Sequence, residues 1–232
     1  MKRFIKRSFN YFGLEIKRSL QIGWNSEHLR KLCPSVETIV DVGVGNGTHE
    51  LYAAFLEKKF LLVEPLKEFE PGIREILTRY DGDYYLGAVG ERSGQAEINV
   101  QPQFPERSSL EERLPESVSG TTMESRMVNV STLDSLANDY RLKKPYGLKI
   151  DAEGHELRVL EGALQFLQDT RFIIAEVSVG PRFEDSYRCG EFIAYVEKLG
   201  FALCDILSIA RSHEHEFRVN QMDAVFLREG LT

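Results

Sequence analysis

The chain has 232 residues, 42% hydrophobic and 28% charged, with a net charge of −7, which fits one globular domain with extensions and a sizeable core. Cys33, Cys189 and Cys204 lie far apart with no CxxC spacing, a sparse, odd set that points to free thiols in a reducing compartment and away from a disulfide framework. No apolar run reaches the roughly 20 residues of a membrane span, no secretory-type apolar segment opens the chain, and an acidic body excludes a general nucleic-acid binder; a cytoplasmic location is expected.

Residues 1–31 hold eight Lys and Arg against Glu15 and Glu27, a net of +6, which leaves −13 for the rest. Ile5, Phe9, Phe12 and Ile16 fall on one helical face within residues 2–20. That face fits two roles: a peripheral contact with an anionic membrane surface, or a helix packed on the domain with a solvated basic side, which is the favoured reading. The chain accordingly divides into a basic helical segment, 1–35, and a main domain, 36–232, with an insertion at about 94–133.

Thr38 to Val42 is β-branched or apolar and predicts a buried strand. It runs into Asp41-Val-Gly-Val-Gly-Asn-Gly47, where glycines 43, 45 and 47 permit a tight turn and close approach of a ligand to the main chain. Helical spacing follows from Thr48, a candidate cap. A strand, a glycine turn and a helix start predict a nucleotide-type pocket with free backbone N–H groups.

Phe60–Val63 is the second strand, ending at Glu64-Pro65. Glu64 lies 23 residues after Asp41, near the ~20-residue interval at which a carboxylate accepts hydrogen bonds from ribose hydroxyls. A helix is expected over 68–79, then a third strand over Tyr84–Val89, whose small residues Gly87-Ala88-Val89 leave room for an adenine ring. Residues 94–101 and 127–133 predict extra strands. The polar stretch 102–126 between them is too long for a simple connection, so substrate contacts are expected there.

Gly147–Asp151 is the next buried strand, opening into Asp151-Ala-Glu153-Gly-His155-Glu156 and a helix over about 156–168, with Leu157, Leu160, Ala163, Leu164 and Leu167 on its core side. A fifth strand (172–177), a helix (189–199) and two strands (201–207 and 223–228) complete the chain. The last two have no helix between them and predict an antiparallel hairpin; its loop carries His213-Glu-His-Glu216. The fold class is therefore α/β, a doubly wound sheet with a reversed edge strand.

Six segments in this order carry a resemblance: DVGVGNG (41–47), VEP (63–65), GAVG (87–90), SSL (108–110), STLD (131–134) and LKIDAEGHELRVLEGA (148–163). Over residues 36–228 the chain resembles the FkbM family of S-adenosylmethionine-dependent methyltransferases. The family's first motif more often reads DVGAN-x-G, so Val44 and Gly45 stand where Ala and Asn are usual. The resemblance implies a class I methyltransferase (Rossmann-like) fold with S-adenosyl-L-methionine across the first strand ends. Asp41 and the Gly43, Gly45 and Gly47 turn would meet its methionine part, Glu64 and Pro65 its ribose, Ala88 and Val89 its adenine. It also implies O-methylation of a hydroxyl on a sugar, glycan or secondary metabolite, so the expected partner is a small-molecule or glycan acceptor.

An alcohol is a poor nucleophile, so such a transfer gains from a general base near the acceptor oxygen. Asp151 is the first choice for the group facing the methyl or the hydroxyl, with Glu153 or His155 beside it. Asp151, Glu153 and Glu156 also suit a capping role at the following helix, and a divalent metal held by these carboxylates and His155 is a less favoured alternative. Two competing functions stay open at this level. A nicotinamide-dependent oxidoreductase is disfavoured because the glycines fall as GxGxG, not GxGxxG. A methyltransferase-like module without catalysis is disfavoured because Asp41, Glu64, Asp151 and Glu153 are all present. The oligomeric state is left open.

Overall fold

Strand β1 (Thr38–Val42) is buried along its whole length and pairs in parallel with β2 (Lys59–Glu64) and β7 (Tyr146–Ile150). Strands so placed are covered by helices on both faces, which is why they read as unbroken apolar runs. Alternation then sorts their side chains into two cores. Val40, Val42, Leu61, Val63, Leu148 and Ile150 join one core; Ile39, Phe60 and Leu62 join the other. The computed structural model describes residues 23–115, 122–180, 182–184, 186–211 and 217–230.

The seven-stranded sheet also contains β3 (Gly82–Leu86), β8 (Thr170–Ser178), β9 (Phe201–Arg211) and β10 (Val219–Arg228), in the order β3-β2-β1-β7-β8-β10-β9. Strand β10 is antiparallel to both neighbours, the hairpin expected from the missing helix, but the reversed strand is not at the edge: β10 lies between β8 and β9, and β9 forms the edge. The order is that of a class I methyltransferase-type, Rossmann-like sheet, and it reverses direction between β1 and β7, the switch point where open α/β sheets place ligands.

The third strand is shorter than its sequence suggests. Gly87 divides the predicted Tyr84–Val89 segment, its N–H donating to the Glu64 carbonyl at 3.0 Å. Ala88–Val89 becomes β4 and leaves the main sheet to join β5 (Gly94–Val100) and β6 (Glu124–Ser131) in a second sheet ordered β4-β6-β5. The strand predicted to reach residue 133 stops at Ser131 because Thr132 caps a helix, its Oγ1 accepting from Ser135 N at 3.0 Å.

The helices are α1 (Ser26–Leu32), α2 (His49–Ala54), α3 (Glu70–Leu77), α4 (Leu133–Asp139), α5 (Glu156–Glu161) and α6 (Cys189–Lys198). Helix α2 is only six residues long and Thr48 makes no side-chain cap. The helix expected to run to 168 ends at Gly162, where a Cβ would lie 2.1 Å from the Gly90 carbonyl oxygen; a 3-10 turn, Phe166–Asp169, follows. Leu164, expected on the core side, is consequently exposed.

The segment before β1 is part of the packing. Trp24 Nε1 donates to Asp223 Oδ2 at 2.7 Å, and Leu29 is fully buried. The 2–20 helix and the His213–Glu216 run lie outside the described residues. Among the described residues, no helix is long and apolar enough to cross a membrane.

Candidate active site

The site is built where β1, β2 and β7 end. All three glycines of the turn have positive φ: 76° at Gly43, 50° at Gly45 and 96° at Gly47. At Gly43 the chain also passes against the end of β7, and a Cβ would sit 1.8 Å from the Asp151 carbonyl oxygen. Gly45 is different, since a Cβ there meets nothing within 4 Å. Its φ lies in the left-handed region that Asn also tolerates, so Gly45 and the Asn usual in DVGAN-x-G meet the same backbone requirement.

Four N–H groups of the turn are engaged within the protein. Gly43 N and Val44 N donate to the Val63 carbonyl at 2.9 and 3.3 Å, Gly47 N to the Val44 carbonyl at 2.7 Å, and Gly45 N to Glu64 Oε2 at 2.9 Å. The glycines thereby shape one wall of the cleft.

Glu64 is buried at the end of β2, with Oε1 accepting from Leu66 N at 2.9 Å. Burial pushes its carboxyl up to about 7, against the opposing hydrogen bonds from Gly45 and Leu66. Because the folded value lies above the unfolded one, this carboxyl's contribution to stability is complete below about pH 4.5 and is lost as the pH rises through about 7. The ligand-free protein should therefore lose more thermal stability between pH 5 and 8 than its Glu64→Gln variant in parallel melts; identical slopes would refute this.

Behind the turn, register does the work. Asp41 and Lys149 are direct partners across β1 and β7, on the face opposite Val40 and Leu148. The Lys149 ammonium reaches Asp41 Oδ1 at 3.3 Å and Asp151 Oδ2 at 3.5 Å and donates to the Gly43 carbonyl at 3.0 Å. Burial alone would lower its pKa, but Asp41 and Asp151 hold it above the usual lysine value. Tyr52 OH donates to the other Asp41 oxygen at 2.5 Å. Asp41 is fully buried beneath the cleft floor.

The loop after β7 turns through Glu153, which has a φ of 48°. Its Oε2 accepts from Arg113 Nη2 at 2.8 Å and also from Arg182; the two guanidiniums lie 4.6 and 5.3 Å from the Phe183 ring. Burial raises the Glu153 carboxyl, with Arg182 and then Arg113 opposing. Arg182 also pairs with Glu176 at 2.9 Å. The Asp151, Glu153 and Glu176 carboxylates come within 4.8 Å of one another, and these arginines supply the balancing charge. Glu156 serves the loop itself: Oε1 accepts from Ala152 N and Gly154 N, both at 3.0 Å, and Oε2 from Tyr187 OH at 2.6 Å.

Above the cleft, residues 105–114 form a strap. Ser109 exchanges backbone hydrogen bonds with Asn99 and its Oγ donates to the Glu153 carbonyl at 2.5 Å. Ser108 Oγ is buried without a partner among the described residues, and Ser108 lines the same space. The cleft encloses a cavity of about 220 Å³. Gly43, Gly45, Gly47, Glu64, Pro65, Ala88, Val89, Asp151, Glu153 and His155 line it; Asp41, alone among the expected site residues, does not. From the stretch 102–126, Pro105, Glu106, Ser108, Ser109 and Leu110 line the cleft.

Residues 41–203 match the family model for the methyltransferase FkbM domain. This chain belongs to the FkbM methyltransferase family. As a member of that family it is an S-adenosylmethionine-dependent methyltransferase. It is 27% identical over 173 residues to the hexuronic acid methyltransferase AglP of Haloferax volcanii, covering 72% of this chain and 67% of that protein. It is also similar to the methyltransferase FkbM of Methylobacillus flagellatus KT, with a TM-score of 0.48 and 14% identity, across 82% of this chain but only 43% of that one. Magnesium protoporphyrin IX methyltransferase of Synechocystis PCC 6803, solved with bound SAM, aligns over 98% of this chain and 97% of that one at 8% identity, with a TM-score of 0.47.

Several residues of this FkbM site escaped the sequence reading. Lys149 had a visible signal, a lone charge inside the apolar run Tyr146–Ile150. Tyr52, Arg113 and Arg182 had none, because their partners Asp41 and Glu153 lie 11 to 40 positions away and only the fold brings them together.

Proposed function

We propose that this FkbM methyltransferase binds S-adenosylmethionine in the cleft at the ends of β1, β2 and β7 and methylates a hydroxyl of a sugar or glycan. The observation that carries the cofactor's placement is the pairing of a spent glycine turn with an acidic wall. A dinucleotide needs free N–H groups for its pyrophosphate, and here Gly43, Val44, Gly45 and Gly47 all donate within the protein. A sulfonium nucleoside has no phosphate and gains from nearby carboxylates; Glu64, Glu106 and Asp151 line the cleft. Glu64 offers two acceptor oxygens to two vicinal ribose hydroxyls, and the unpartnered Ser108 Oγ leaves a hydrogen bond for a ligand to complete.

The bound cofactor supplies an activated methyl group. The chain's task is to hold the acceptor oxygen in line with it, since positioning provides much of the acceleration of a displacement, and to take the hydroxyl proton. Asp151 and His155 are the two cleft-lining groups suited to accept that proton. Glu153 is excluded from this role because both guanidiniums already hold its carboxylate. The sugar acceptor is supported by the named activity of the Haloferax relative.

Calorimetry with S-adenosylmethionine and with NAD tests the reading: binding of the first and not the second is expected, and binding of NAD alone would overturn it. Transfer of labelled methyl to a panel of uronosides separates an enzyme from a binding module. Glu64 adds a pH signature. Ribose binding selects its carboxylate form, so cofactor affinity should rise from pH 6 to 8, through the value of about 7, with proton release visible in buffers of different ionisation enthalpy. A flat profile would remove Glu64 from the ribose site.

A further inference from the structure

The strap places one more charged group against the site. His155 Nδ1 lies 2.6 Å from Glu111 Oε1, with the two side chains 13% and 24% exposed. A carboxylate only accepts hydrogen bonds, so the imidazole donates from Nδ1, and in the neutral form of such a ring Nε2 is the acceptor. Nε2 has no partner among the described residues, and His155 lines the cleft. Nε2 lies beside Gly90, where a Cβ would come within 2.9 Å of it.

Glu111 is itself fixed in place. Its backbone N–H donates to Ser109 Oγ at 2.9 Å, and Ser109 Oγ donates to the Glu153 carbonyl at 2.5 Å. The strap and the loop carrying His155 are thereby joined at two points, one through Ser109 and one through the Glu111–His155 pair. Asp151 is instead paired with a cation, the Lys149 ammonium lying 3.5 Å from its Oδ2.

We infer that Glu111 is a positioning residue that holds His155 with Nε2 facing the cleft, so that His155 rather than Asp151 takes the proton of the methylated hydroxyl. The inference rests on the methyl-transfer reading above. In the step, the acceptor oxygen forms the O–CH3 bond while the C–S bond breaks, its electron pair staying on sulfur. The hydroxyl proton passes to His155 Nε2, and the resulting imidazolium is stabilised by the Glu111 carboxylate. The products are the methyl ether and S-adenosylhomocysteine.

Nitrogen-15 NMR of the full chain without ligands reads the tautomer directly. The wild type should show a protonated Nδ1 and a pyridine-type Nε2, and Glu111→Gln, whose amide both donates and accepts, should show a mixture of tautomers. In parallel, Glu111→Gln should bind S-adenosylhomocysteine as tightly as the wild type. With methyl glucuronoside as the acceptor probe, its kcat should fall about 10²-fold with little change in KM, the scale of general-base catalysis. A wild-type ring protonated at Nε2, or a tautomer unmoved by Glu111→Gln, overturns the positioning role. Full turnover in His155→Gln alongside loss in Asp151→Asn assigns the proton to Asp151 and overturns the inference. Failure of the wild type to bind S-adenosylhomocysteine would overturn the methyltransferase reading instead, and is distinguishable because the tautomer is measured without cofactor.

Discussion

Gly43→Ala should abolish cofactor binding and cost about 4 kcal/mol or more of stability, placing it among the severe single substitutions. Two penalties combine. The residue sits at a φ of 76°, where an L side chain costs roughly 1–2 kcal/mol. The new Cβ would also lie 1.8 Å from the Asp151 carbonyl oxygen, and that obstacle is backbone at the end of a central strand. Relief requires β1 and β7 to separate where Asp151 N donates to the Val42 carbonyl at 2.9 Å, and where Lys149 bonds the Gly43 carbonyl. Gly45→Asn is the matched control. Its Cβ meets nothing within 4 Å, and its backbone conformation suits Asn, so its cost should stay within about 1 kcal/mol. Its N–H still reaches Glu64, and S-adenosylhomocysteine binding should survive. Urea titration and calorimetry on both variants check this. Equal costs would mean that the turn, rather than the crossing of the two strands, limits substitution.

The contrast between those two glycines marks what a sequence can carry. Strand positions were legible because burial on both faces imposes unbroken apolar runs at Thr38–Val42, Phe60–Val63 and Gly147–Ile150, and the absent helix before residue 223 foretold the reversed strand. The turn and Glu64 were legible because their spacing is local. Less was visible wherever a distant contact decides. Tyr84–Val89 looks continuous until Gly87 is tied to the Glu64 carbonyl. The 156–168 periodicity looks like one helix until Gly162 meets the Gly90 carbonyl. Asp41 illustrates the same limit within the site: its place in the glycine motif suggested a ligand contact, yet alternation along β1 turns it beneath the floor. Glu153, equally prominent in sequence, is consumed by two arginines that local spacing could not connect to it.

Lys149, whose pairing with Asp41 only the strand register reveals, should be a costly charge to remove. Lys149→Met should destabilise the protein by about 3–5 kcal/mol, the range for breaking a buried ion pair on one side. Methionine matches the length of the lysine stem, so the loss is electrostatic rather than a cavity. What remains is a fully buried Asp41 carboxylate whose remaining support is the Tyr52 hydroxyl at 2.5 Å, together with a Gly43 carbonyl that has lost its ammonium donor. For a chain of this size the cost corresponds to a fall of about 10 °C in Tm. Adding Asp41→Asn removes the stranded charge while leaving an oxygen for Tyr52, so the double variant should recover about 2 kcal/mol relative to the sum of the single changes, a coupling expected for residues in direct contact. A Lys149→Met cost below about 1 kcal/mol, or additive single effects, would mean that Asp41 is neutral in the folded protein. The pair would then have to be redrawn as a hydrogen bond, and the wall of the cleft would lose the fixed ammonium that this structure places beside Asp151.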